Sequence, residues 1–109
     1  MTADRLTPKQ RESLVRVTPH WAGQGFGLGV GIDIDAGSRA SFGPTTNGAY
    51  GWPGSLSTWF RVDPAESMIM LYLVQCVVAL TPENIPRIVT GKGTPLETFQ
   101  KLTYAALGR

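Results

Sequence analysis

Between Gly25 and Asp35 the chain keeps a period of two: Phe26, Leu28, Val30, Ile32 and Ile34 interleave with Gly25, Gly27, Gly29, Gly31 and Asp33. That period puts successive side chains on opposite faces of an extended backbone, so the stretch predicts one β-strand. One face of it is apolar, and the other is bare backbone at four alternate positions. Glycine weakens a strand, so this many in register imply something packed close against the bare face. Either a helix or a ligand pressed onto the backbone meets that requirement.

Helix signals bracket the strand region. Thr7-Pro8-Lys9-Gln10 offers a capping threonine, a proline at the first helical position and a glutamine that closes a capping box. A helix is expected to run to about Arg16, before Pro19 stops it. Only Leu14 and Val15 can anchor it, so tertiary packing must hold it. Thr94-Pro95-Leu96-Glu97 repeats the box, with Leu96, Phe99, Leu102 and Ala106 as one apolar side and Gly108 as the stop.

Between the helices, Ala36-Gly37-Ser38 is turn-like, Ala40 to Phe42 reads as a short return strand, and Gly43 to Gly48 as a loop. Leu56 to Val62 and Met68 to Val78 read as strands paired in an antiparallel hairpin about Asp63-Pro64-Ala65-Glu66-Ser67. Met68 to Val74 is nearly all apolar, so that strand is expected to be covered on both faces. Thr81-Pro82 opens a short helical segment ending near Gly91. A helix, several antiparallel strands and a helix that lies on the sheet make an α+β fold.

Composition narrows the function classes. At 109 residues the chain is one domain at most, and its 42% hydrophobic content argues against wholesale disorder. Ten basic and eight acidic residues are spread without a basic block, which gives no nucleic-acid footprint. Met1 to Gln10 lacks the apolar core of a secretory signal, and Met68 to Val74 is too short to span a bilayer as a helix. The chain therefore reads as soluble and unexported, cytoplasmic as it stands, with no membrane partner.

Self-contained catalytic motifs are absent. The glycines at 23, 25, 27, 29 and 31 are spaced by two throughout, so none makes Gly-x-Gly-x-x-Gly. Gly91-Lys92-Gly93-Thr94 lacks the Lys-Ser/Thr pair of a phosphate loop. His20, the single histidine, has no partner for a metal site or a triad and reads as a loop residue. Cys76 has no second cysteine to pair with; in an apolar strand, burial would leave its thiol inert. Asp33 and Asp35 share a strand face near a turn and read as a solvated pair, with no third carboxylate for calcium.

One longer pattern remains. Tyr50-Gly51-Trp52-Pro53-Gly54-Ser55 is followed by Thr58-Trp59-Phe60-Arg61-Val62-Asp63-Pro64 and an apolar strand ending at Gln75. The order resembles the last third of the penicillin-binding, class C β-lactamase-like serine hydrolases, above all the esterase-type members. Their Gly-Trp-Gly-Gly-Ala strand and Gly-Thr-x-Phe-x-Val-Asp-Pro segment precede a strand ending in Thr-Gln or Val-Gln. Gly25 to Val30, Leu6-Thr7-Pro8 and Phe99 to Leu107 resemble, in turn, an earlier strand, the helix before it and the terminal helix. The resemblance thus covers the chain from about Leu6 onward.

It implies an incomplete β-lactamase-like domain. Acyl transfer through serine needs a nucleophile, a base and N–H donors aimed at the developing oxyanion. Trp52, Pro53 and Gly54 fall on the family's third motif, on a sheet-edge strand that lines the substrate cleft, and the Ser55 N–H falls on one oxyanion donor. Pro53 stands where esterase-type members have glycine, and Ser57 stands where a glycine precedes the threonine. The nucleophile motif Ser-x-x-Lys is missing: Leu6, Val89 and Thr98 stand three before the lysines. No tyrosine begins the second motif, Tyr-x-Asn/Ser. The chain alone is therefore expected to be inactive, to need no cofactor or metal, and to meet a small acyl substrate only when completed. Its implied partners are a missing N-terminal half or a second copy of itself. The alternative is a non-catalytic β-rich binding or assembly module that uses Trp21, Trp52 and Trp59 as an exposed aromatic surface.

Overall fold

The computed structural model describes residues 1–38, 43–77, 81–85, 87 and 92–108. Its elements in chain order are helix α1 (Pro8–Val17), strands β1 (Gln24–Phe26), β2 (Gly31–Asp33), β3 (Tyr50–Pro53), β4 (Trp59–Asp63) and β5 (Met68–Tyr72), and helix α2 (Pro95–Ala106). The strands form one antiparallel sheet in the order β1-β2-β3-β4-β5. The α+β class is as expected. The return strand at 40–42 and the end of the helical segment near 91 lie outside the described residues; what is described of that segment is a turn in which the Asn84 and Ile85 amides donate to the Thr81 carbonyl.

The long strand at 25–35 is instead a tight hairpin. Gln24 pairs with Asp33, Gly25 with Ile32 and Phe26 with Gly31, and the chain reverses at Gly27–Val30. Gly29 adopts φ +83°, which a side chain resists, so glycine permits the reversal inside the alternating run. The close neighbour on the bare backbone is the segment preceding α1. A Cβ on Gly27 would sit 1.9 Å from the Met1 carbonyl oxygen, and one on Gly25 2.4 Å from the Asp4 carboxyl carbon. Arg5 and Leu28 amides donate across this seam to Phe26 and Met1 carbonyls. The Asp4 carboxylate takes the Phe26 and Leu6 amides and pairs with Arg11.

Helix α1 starts as its sequence dictates: Thr7 caps the Gln10 amide, and the Gln10 side chain reaches back to the Thr7 amide. It buries no residue fully, so the Asp4–Arg11 pair and the turn after it tie it to the body.

Register decides the two faces of the sheet. Trp59, Arg61 and Asp63 of β4 stand beside Tyr72, Met70 and Met68 of β5 and face α2. Phe60 and Val62 stand beside Leu71 and Ile69 on the opposite face. The core lies on the first face, where Trp59, Met70 and Tyr104 are buried with Met68, Tyr72, Leu96 and Phe99 around them. On α2 the buried positions are Gln100 and Tyr104, four residues apart, while the expected Leu102 is 65% exposed and Ala106 lies at the surface. A rotation of the helix toward its polar residues brings Tyr104 over β4.

Strand β5 is not covered on both faces. Ile69, Leu71 and Leu73 are 69%, 58% and 74% exposed. The strands are also shorter than read from sequence: 54–58 forms a turn, and β5 ends at Tyr72 although the next residues still bond to that turn.

Candidate functional site

Strand β3 runs antiparallel to both neighbours and sits at the centre of the five-stranded sheet, so its expected place at the edge is corrected. Gly51 is required there by close approach, because a Cβ would lie 2.1 Å from the Phe60 carbonyl oxygen. The cross-strand pairing with β2 stops at Gly51, while that with β4 continues to Pro53. Proline is tolerated at such a position because one side of the strand has lost its ladder partner.

Beyond Pro53 the chain turns sharply back into β4. The Gly54 amide donates to the Thr58 carbonyl at 2.6 Å and the Ser57 amide to the Gly54 carbonyl at 3.1 Å. Ser57 sits at φ +68°, in the left-handed region. The turn is strapped to the segment after β5 by three bonds: Ser57 Oγ to the Cys76 carbonyl at 2.9 Å, Thr58 Oγ1 to the Val74 carbonyl at 2.8 Å, and the Cys76 amide to the Leu56 carbonyl at 3.0 Å. Cys76 itself is exposed, which corrects the buried placement expected for it.

Ser55 is exposed at the tip of this turn. Among the described residues nothing accepts from its N–H. Trp52, 39% exposed, packs edge-on against Phe26 at 5.3 Å between ring centroids and tilted against Trp21 at 5.8 Å, which in turn meets His20 at 6.2 Å. His20 lies in a short turn of 3-10 helix, where burial lowers its pKa. Trp59 does not join this aromatic group. It is 2% exposed in the core, so a surface built from all three tryptophans does not exist.

A second polar assembly lies under α2. Asp33, read from sequence as solvated, is 1% exposed and pairs with Arg61, itself 4% exposed. The Asp33 carboxylate also accepts from Thr45 Oγ1 and from Gln24 Nε2, and Arg61 Nη1 donates to Thr45 Oγ1 at 2.9 Å. The Arg61 guanidinium stands 5.4 Å from the Trp59 ring centroid, a cation–π distance. Two residues along β4, Asp63 is fully buried and accepts from Thr46 Oγ1 at 2.6 Å, from the Glu66 amide and from the Tyr104 hydroxyl. Burial first, then the hydrogen bond to Asp63 and its charge, push the Tyr104 phenol well above its ordinary value. Pro44, Thr45, Thr46, Glu66, Lys101 and Tyr104 line a shallow cleft of about 400 Å³ at the mouth of this assembly.

The chemistry of the two places differs. Every oxygen of the Asp33 and Asp63 carboxylates already takes a donor, and the Tyr104 proton is committed to Asp63, so this assembly fastens the helix and the 43–48 loop to the sheet. Among the described residues, nothing accepts from the exposed Ser55 N–H of the β3–β4 turn.

No known family profile matches the chain. An uncharacterized protein of Mycobacterium tuberculosis strain CDC 1551 / Oshkosh is 36% identical to it over 114 residues, covering 99% of this chain. Protein Rv1367c of strain ATCC 25618 / H37Rv is similar to the same degree over the same extent. The chain spans 28% of the length of these relatives.

Of the residues picked from sequence, Trp52 and Pro53 lie on β3, on opposite faces of the sheet, and Gly54 and Ser55 lie in the turn that follows; all four are exposed. The Asp33–Arg61 and Asp63–Tyr104 contacts escaped sequence reading. A signal for them existed in β4, where Trp59, Arg61 and Asp63 alternate with Phe60 and Val62, placing both charges on the same side as a tryptophan.

Proposed function

We propose that this chain supplies one wall of a β-lactamase-like serine hydrolase site, in which Ser55 gives one oxyanion N–H and Trp52, Pro53 and Gly54 flank an acyl substrate. The observation that carries the reading is the exposed Ser55 N–H at the tip of a strapped turn, with no acceptor among the described residues. An oxyanion donor must be held in place before reaction and left free of other acceptors. Three bonds to the 74–76 segment hold this one, and its neighbours Gly54 and Ser57 close the turn on themselves. The left-handed Ser57 adds support, since the esterase-type hydrolases have glycine there. Trp52 with Trp21 and Phe26 makes an apolar wall that suits an uncharged ester better than a carboxylate-bearing β-lactam or peptide.

The nucleophile lies outside these 109 residues, so they alone turn over neither esters nor β-lactams. Stoichiometric labelling of the purified chain by a serine-reactive fluorophosphonate would refute this. The positive arm uses the M. tuberculosis relative with its matching segment deleted. Adding this chain is expected to raise fluorophosphonate labelling of that truncated protein, and a Ser55→Pro chain, which lacks the N–H, is expected not to. Equal labelling with both chains, or none with either, overturns the assignment.

The non-catalytic reading retains the exposed Trp52, with the half-buried Trp21 packed against it, as its surface. Saturable quenching of tryptophan fluorescence by a peptide or an oligosaccharide, abolished by Trp52→Ala, would favour it.

A further inference from the structure

The turn that leads the chain into β3 contains the pair Asn47-Gly48, and both residues are exposed. The Ala49 amide donates to the Thr46 carbonyl at 3.2 Å, so Asn47 and Gly48 are the central residues of a β-turn. Gly48 stands at φ +89°, the left-handed value that the third position of a type II turn requires. Two hydrogen bonds hold the pair to the body: Ala36 donates its amide to Asn47 Oδ1 at 2.7 Å, and Gly48 donates its own to the Asp33 carbonyl at 2.7 Å. The pair therefore abuts Asp33, whose carboxylate is paired with Arg61, and directly follows Thr46, whose hydroxyl donates to Asp63.

An asparagine followed by glycine carries its own nucleophile. Glycine has no side chain to shield its backbone nitrogen, so that nitrogen reaches the preceding side-chain carbonyl once the local backbone is free to turn. We propose that Asn47 is a spontaneous deamidation site, kept closed by the folded turn and reached only when the 43–48 loop leaves the sheet. The Gly48 nitrogen attacks Asn47 Cγ: the N–Cγ bond forms, the Cγ–Nδ2 bond breaks, and the Gly48 proton leaves with Nδ2 as ammonia. Water then opens the cyclic imide. Cleavage of the N–Cγ bond gives aspartate, and cleavage of the bond to the main-chain carbonyl gives isoaspartate, with an added methylene in the backbone. The sum is a water taken up and an ammonia released, with no oxidant, metal or cofactor.

Both hydrogen bonds oppose the step. Attack needs the Gly48 nitrogen stripped of its proton, and that proton is shared with the Asp33 carbonyl. It also needs the Asn47 side chain swung over Gly48, whereas the Ala36 amide holds its oxygen. Once isoaspartate has formed, the longer backbone moves the Gly48 amide off the Asp33 carbonyl, so a transient opening of the loop becomes a lasting one. The Ser55 turn takes no part, and the inference stands whether or not that turn serves an acyl-transfer site.

Peptide mapping by mass spectrometry, with isoaspartate detection, tests this on the full 109-residue chain at mildly alkaline pH, folded in buffer and unfolded in guanidinium chloride. Asn84, which precedes the β-branched Ile85, is the reference within the same chain. In the unfolded chain Asn47 is expected to convert well ahead of Asn84. In the folded chain it is expected to convert at least about 30-fold more slowly, the factor that two ordinary hydrogen bonds supply. Ala36→Pro removes the donor to Asn47 Oδ1 at the first position of a short helical turn, where proline fits. It is expected to speed conversion in the folded chain by about tenfold. Equal rates at Asn47 in folded and unfolded chains, conversion of Asn84 as fast as Asn47 on unfolding, or an unchanged rate in folded Ala36→Pro overturns the proposal. If Ala36→Pro does not fold, the ratio of folded to unfolded rates in the unmodified chain decides alone.

Discussion

Replacing Tyr104 by Phe removes one oxygen from the core and leaves the ring against Trp59 and Met70. The lost atom donates to Asp63, whose side chain is fully buried. Without it the carboxylate keeps Thr46 Oγ1 at 2.6 Å and the Glu66 amide at 3.3 Å, and one oxygen loses its donor. A hydrogen bond to a charged group contributes about 1.5–3 kcal/mol, and an unsatisfied buried acceptor costs a similar amount, so a loss of about 2 kcal/mol is expected. For a domain of this size that lowers Tm by about 8–16 °C. Urea unfolding of Tyr104→Phe, Asp63→Asn and the double variant measures the coupling. The reasoning fails if Tyr104→Phe costs under about 0.5 kcal/mol, or if the two single losses add with no coupling. The pH profile is a second check. The folded phenol holds its proton above the ordinary pKa of 10.0, so its contribution is complete below that value and declines as pH rises beyond it. Tyr104→Phe is expected to be less sensitive to alkaline pH than the unmodified chain.

Backbone geometry gives further expectations. Ser67, exposed at φ +51° in the β4–β5 turn, is expected to gain about 1 kcal/mol in urea unfolding on replacement by Gly. Ser57→Gly relieves the same strain but deletes the hydroxyl bond to the Cys76 carbonyl, so its gain is expected to be smaller. Gly51→Ala places a Cβ 2.1 Å from the Phe60 carbonyl oxygen and is expected to cost more than about 3 kcal/mol, or to prevent folding outright, by far-UV circular dichroism. For Asp4, burial opposes the charge, but the Leu6 and Phe26 amides and Arg11 outweigh it and hold the pKa below 3.8. Its stabilisation is present above that value and lost as pH falls through the lowered pKa. Asp4→Asn is therefore expected to be weaker by up to about 1 kcal/mol at neutral pH and equal to the unmodified chain in strong acid.

Local chemistry was legible in the sequence, and long-range placement was not. The Thr7 box, the Thr94 cap, the Gly108 stop and the β4–β5 hairpin all depend on neighbours within a few residues. The 25–35 run misled because alternation reports side-chain faces and says nothing about reversal. Across the four-residue turn Gly25 stands beside Ile32 and Phe26 beside Gly31, so the alternation continues in sequence while its apolar residues fall on opposite faces of the two strands. The rotation of α2 was hidden for a related reason. Hydrophobic residues at Leu96, Phe99, Leu102 and Ala106 suggest one face, yet buried partners for Tyr104 lie on β4, over forty residues earlier in the chain. Burial of Asp33 likewise depends on Arg61, which sequence spacing cannot bring to it.

The β3–β4 turn links these levels. Its order of residues gave the resemblance, while its geometry depends on the segment after β5. Ser57 and Thr58 hydroxyls hold the Cys76 and Val74 carbonyls, so the position of the Ser55 N–H is set by residues some twenty places further along. Those residues leave the sheet directly beyond Tyr72. In the proposed acyl-transfer site the strap itself therefore holds the Ser55 donor in place before any substrate arrives.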